Sequence, residues 1–101
     1  MSVLVYTESE QGKFKKAALE AASYGKAVAD AMGTTLVALT FNVGDASELG
    51  TYGVEKVLNI NSVTAFNAKI YADAIKQAAE KEAATVVILS ASADSRYIAP
   101  L

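Results

Sequence analysis

Three short stretches of this chain carry side chains that could do chemistry. The first, Thr7-Glu8-Ser9-Glu10-Gln11-Gly12, directly follows an apolar run. Carboxylates two positions apart admit a paired-acid or metal-binding reading. Neighbouring surface glutamates are the plainer reading and the preferred one. The stretch is not G-x-G-x-x-G, a Walker A loop or the glycine-rich pyrophosphate loop of ATP-cleaving α/β enzymes, and its glutamates would repel a phosphate. The second stretch is Ser90-Ala91-Ser92-Ala93-Asp94-Ser95 with Arg96 behind it. Its hydroxyls, loop amides, a following helix N-terminus and Arg96 could hold an anion. A helix cap beside a surface arginine is preferred, with a ligand or subunit contact as alternatives. The third, Gly50-Thr51-Tyr52-Gly53, has two glycines that imply special backbone angles. It reads as a structural turn, with a docking surface as the alternative. The tyrosines show no stacking spacing.

What the chain lacks narrows the chemistry further. It has 101 residues with no cysteine and no histidine. That excludes disulfides, thiolate metal sites and thiol redox chemistry, as well as Ser-His-Asp and Cys-His arrangements. Net charge is −2 with acids and bases interleaved, so there is no basic stripe for nucleic acid. No apolar run is long enough for a membrane span, and Val3 to Tyr6 lead straight into Glu8 without a basic, signal-like start. The expectation is a soluble protein of a bacterial cytoplasm. No residue is assigned as catalytic, cofactor-binding or metal-binding.

The elements that would position these stretches are legible. Residues 2–7 are short, β-branched and continuously apolar at their centre, as in a strand covered on both faces. A loop over 8–13 precedes a helix over 14–32, where Phe14, Ala18, Ala21, Gly25, Val28 and Met32 share one face. Small residues on that face suit close approach to a sheet, and close packing is the expected role of Gly25. Gly33 is placed for a left-handed cap. A strand over 36–41 follows, then one or two helical turns near Asp45, then an edge strand over 55–60. Several possible caps at 61–64 precede a second helix over 66–82, with Ala68, Tyr71, Ala72, Ile75, Ala78 and Ala79 inward. Lys69, Asp73, Lys76 and Glu80 face water, and Lys76 with Glu80 is a possible ion pair. The strand over 85–89 is apolar throughout, and a helix start is read over 96–101.

Alternating strands and helices imply right-handed parallel crossovers. The expected fold is a three-layer α/β/α domain over 1–101 with a mostly parallel sheet in the order 3-2-1-4. The loop after the fourth strand then lies at a switch point where such sheets bind ligands.

Read in order, four pieces resemble the amino terminus of the electron-transfer flavoprotein alpha subunit family. They are Ser2-Val3-Leu4-Val5-Tyr6-Thr7-Glu8, the helix leading into Gly33-Thr34-Thr35-Leu36-Val37-Ala38-Leu39, and two more specific segments. Leu49-Gly50-Thr51-Tyr52-Gly53-Val54-Glu55-Lys56-Val57-Leu58 is similar to the family's Gly-x-x-Gly-Ala-(Asp/Glu)-Lys-Val, with Val54 for alanine. Ser90 to Leu101 is similar to a loop ending Gly-Arg-Asp-Leu-Ala-Pro, with Ser95 for glycine and Tyr97-Ile98 for Asp-Leu.

The resemblance implies an adenine-nucleotide α-hydrolase-like domain. It implies a heterodimer with a beta subunit that carries electrons from flavin dehydrogenases, such as acyl-CoA dehydrogenases of fatty acid β-oxidation, to the respiratory chain. FAD would sit in a separate carboxyl-terminal domain absent from 1–101, so no FAD is expected on these residues and no enzyme activity of their own. The expected role is scaffold and subunit docking. Because an apparent helix start falls at Pro100-Leu101, the expectation is an incomplete amino-terminal domain, with self-association or poor solubility expected from its uncovered apolar surface. Two alternatives weaken on the same loops. A nucleotide module of the universal-stress type should have a glycine-rich loop where Ser90 to Ser95 stand. A flavodoxin-like FMN carrier should have a hydroxyl-glycine cradle where Glu8 and Glu10 stand.

Overall fold

A computed structural model describes residues 2–10, 12–61 and 68–89. The expected caps at 62–64, the helix entry at Phe66, the 90–95 loop with Arg96, and the helix start over 96–101 lie outside the described residues. Strand β1 (Ser2–Tyr6) is buried along its whole length. A short antiparallel hairpin follows, β2 (Ser9–Glu10) and β3 (Lys13–Phe14), turned at Gly12 with φ 79°. Then come helix α1 (Lys16–Met32), strand β4 (Thr35–Phe41), a 3₁₀ helix (Ser47–Tyr52), strand β5 (Lys56–Ile60), helix α2 (Ala68–Lys81) and strand β6 (Ala84–Ile88).

The main sheet is parallel in the order β5-β4-β1-β6. The expected order 3-2-1-4 needs correction as numbered, because the sequence reading has no place for the hairpin. Its two strands of two residues each are too short to show alternation, and they raise the number of every later strand. The hairpin also overturns the expected helix start: Phe14 closes β3, and α1 begins at Lys16.

Each face of the sheet has its own core. Val3, Val5, Leu36 and Ala38 pack with Ala21, Ala22 and Ala29 of α1 and with Leu49 and Val54 around the 3₁₀ helix. Leu4, Tyr6, Val37, Leu39 and Phe41 pack with Tyr71, Ile75 and Ala78 of α2. Strand alternation sends odd and even positions to opposite layers, so three layers form as expected.

Helix α1 sits close because its inner face is small. A Cβ on Gly25 would stand 2.9 Å from Leu36 Cδ1, which accounts for the glycine by close approach. Met32 does not share the buried face; it is 37% exposed, because the contact line drifts to Ala22 and Ala29. Gly33 makes the expected left-handed cap (φ 68°), and Thr34 N donates to Ala29 O at 2.9 Å. Strand β6 is more open than its apolar run implies: Val87 is 39% exposed, because β6 has β1 alone as a neighbour in the described sheet. Among the described residues the i,i+4 ion pair is Lys26–Asp30 at 2.9 Å, not Lys76–Glu80.

Candidate functional site

The parallel sheet presents its carboxyl-terminal ends together, and the turn leaving β1 is the described part of that edge nearest the switch point. Thr7 continues the strand: its N–H donates to Leu39 O at 2.9 Å and its hydroxyl to the same oxygen at 3.1 Å. Ser9 Oγ donates to Phe41 O at 2.9 Å. The turn is thereby tied to the end of β4 on both sides of Glu8.

Glu8 is 0% exposed. Lys15 Nζ stands 3.6 Å from its Oε2, an ion pair too long for a hydrogen bond, and Lys15 N donates to Glu8 O at 3.2 Å. The hairpin makes this possible by folding 9–14 back so that Lys15, at the entrance of α1, returns to Glu8. Removing Lys15 would leave the buried Glu8 poorly compensated, whereas Lys15, half-buried, would keep contact with water without Glu8. The expected surface glutamate is therefore an interior one, and the expected loop is a hairpin built around it.

This geometry is hostile to phosphate. A pyrophosphate cradle needs glycines for close backbone approach and several free amides. Here a buried carboxylate, Glu8, occupies the turn where such a cradle would stand. Among the described residues no group of three or more acidic, histidine or cysteine side chains is placed to hold a metal ion. The second candidate stretch, residues 90–95 with Arg96, lies outside the described residues.

The loop after β4 is equally fixed. Asn59 Nδ2 donates to Val43 O at 2.7 Å, and Val43 N donates to Asn59 Oδ1 at 3.3 Å. Asp45 Oδ1 accepts from Ser47 N at 2.9 Å, starting the 3₁₀ helix beside the expected cap residue. That backbone hydrogen bond, with the Ser47 hydroxyl, holds the Asp45 carboxyl below the usual carboxylate range. The Thr40 hydroxyl is buried and has no hydrogen-bond partner among the described residues.

The third candidate, Gly50 to Gly53, divides. Gly53 has φ 91°, and a Cβ there would meet the Lys26 side chain at 2.5 Å; Gly50 has no positive φ and faces open space. One glycine is thus required for the turn, not two. Lys26 titrates above its ordinary value because it hydrogen-bonds Asp30.

An aromatic trio lies near the same edge of the sheet. Phe41 stacks on Tyr71 at 3.7 Å with 7° between the rings, and Tyr6 meets them edge-on at 5.9 and 6.3 Å. Sequence spacing does not show it, since the three residues lie on three elements. The β1–β4 register is the signal that brings Tyr6 and Phe41 to one strand end.

A family model described as "Electron transfer flavoprotein domain" matches residues 3–101. No curated relative matches the chain. Among the described residues no helix is long and apolar enough to cross a membrane.

Proposed function

The chain belongs to the electron transfer flavoprotein domain family, and on that premise we propose that it is the amino-terminal domain of an alpha-type subunit, a scaffold and docking unit in an electron carrier. Its partner in this reading is a beta-type subunit, and the heterodimer takes electrons from flavin dehydrogenases and passes them to the respiratory chain. The redox chemistry is that of FAD bound outside residues 1–101. These residues are neither catalytic nor flavin-binding; they form a rigid α/β block against which the rest of the carrier assembles.

The single observation that carries this reading is the fully buried Glu8 in the turn after β1. In a parallel sheet that turn is where a phosphate-bearing cofactor is ordinarily received, and here its place is taken by a carboxylate paired with Lys15. The Gly50 to Val57 segment supports the alpha-type assignment through the motif it resembles.

The test has two arms. Titrated with FAD or ATP, the 101-residue chain is expected to show no stoichiometric binding; tight binding of either would defeat the scaffold reading. Co-expressed with an electron-transfer flavoprotein beta subunit, it is expected to co-purify in equal stoichiometry. Failure to do so in the presence of a folded beta subunit would remove the docking role.

A further inference from the structure

Strand β5 is an outer strand of the described sheet, paired on one side to β4 alone. Its register against β4 runs unbroken from Lys56 to Ile60, without a bulge, and it contains no proline. Asn42 N donates to Ile60 O, so alternation along the parallel ladder turns the amides of Val57 and Asn59 outward. Natural edge strands are normally blunted by bulges, prolines, inward charges or a covering element. Here the device is a single lysine, Lys56, and its ammonium is held by Glu82 at 2.8 Å.

Beside this open edge runs a groove between β5 and α2, with Leu39, Leu58, Ile60, Ala74 and Ala78 in its wall and Lys81 at its rim. An open backbone row next to an apolar groove is the arrangement that receives an added strand: the backbone supplies hydrogen bonds and alternate side chains enter the groove. The described residues lining the groove include a cation and no acid. A second copy paired edge to edge through this groove would therefore bring no carboxylate from it to Lys81.

We infer that β5 is a strand-addition site for an extended segment of a partner polypeptide, apolar at alternate positions and carrying a carboxylate opposite Lys81. The inference rests on the docking reading above and deepens it by naming the surface and the chemistry of what it takes.

The test uses the co-expressed complex with the beta subunit, its affinity and its amide hydrogen exchange. Lys81→Glu is expected to weaken association about tenfold, Lys81→Arg to leave it unchanged, and Ile60→Lys to weaken it further. Tyr24→Glu, on an exposed part of α1, is expected to have no effect. The Val57 and Asn59 amides are expected to exchange at least about tenfold more slowly in the complex than in the free chain. Thermal unfolding of each free variant separates lost docking from lost folding. A complex that forms with wild-type affinity in both Lys81→Glu and Ile60→Lys overturns the site while leaving the docking role standing. Unchanged exchange at Val57 and Asn59 overturns strand addition. Protection of those amides by self-association of the chain alone, sensitive to Ile60→Lys, assigns the edge to a second copy and also overturns it. Absence of any wild-type complex removes the docking reading and the site with it.

Discussion

The two faces of the sheet are closed by opposite means. On one, α1 presents Ala18, Ala21, Ala22, Gly25 and Ala29, so its backbone lies almost against β1 and β4, and the 3₁₀ helix with buried Leu49 extends the cover. On the other, α2 is seated through Tyr71 and Ile75 on Tyr6, Leu39 and Phe41, and ring stacking fills the gap. The difference follows from topology. The crossovers β1 to β4 and β4 to β5 run in one direction along the sheet and share a face, whereas β5 to β6 runs back and takes the other. One described face therefore carries a helix and a 3₁₀ helix, and the other a single helix beside a groove. A face of small residues is sensitive to added bulk; a face of large rings is sensitive to lost bulk.

The largest effect is expected on the ring face. Tyr71→Ala removes a buried stacked ring and should cost about 3–4 kcal/mol in urea unfolding, with loss of near-ultraviolet dichroism. A cost below about 1 kcal/mol would show that the rings do not hold that face. Next is the small-residue face. Gly25→Val places methyl groups where Leu36 Cδ1 already stands 2.9 Å from a bare Cβ, and should cost about 2 kcal/mol by overpacking. Gly25→Ala is expected to be close to neutral, because about 1 kcal/mol of helix propensity offsets the tighter contact. If Gly25→Val were stabilising, the closeness of α1 would be wrong.

Gly53→Ala should cost about 1–2 kcal/mol from its left-handed backbone, plus the clash with Lys26. Adding Lys26→Ala is expected to recover the clash portion alone; full recovery would mean that the backbone angle imposes nothing. The smallest effect is at Asp45. Its pKa is depressed by the Ser47 hydrogen bonds, so their contribution is complete above the unfolded carboxylate value and is lost as pH falls through the lower, folded one. Nuclear magnetic resonance titration should place the Asp45 midpoint below that of a model peptide, with the Ser47 amide shift following it. A midpoint at the model value would break the assignment of that turn.

Of the site, the sequence exposed the residue types and concealed their setting. Glu8 is visible as an acid after a strand, but nothing local marks it as interior. Its burial depends on the hairpin returning Lys15, and on Thr7 and Ser9 binding carbonyls 32 positions away. The Asn59–Val43 clamp was hidden for the same reason: its partners lie 16 residues apart and meet through the β4–β5 pairing.

Periodicity and local preference determined the long elements to within their ends, the central inward residues Ala18, Ala21 and Gly25 of α1 and Tyr71, Ile75 and Ala78 of α2, the parallel three-layer plan, the cap at Gly33 and the close packing of Gly25, but not the departures at Phe14 and Met32. Each of these follows from local backbone preference and from apolar residues recurring at the period of their element. Tertiary structure alone decided that Glu8 is buried, that Phe41 stacks on Tyr71 with Tyr6 edge-on, and that a groove against α2 flanks the edge strand that alternation had already marked. These depend on strand register and crossover direction, which are set by all the layers packing at once, and no window of sequence contains them.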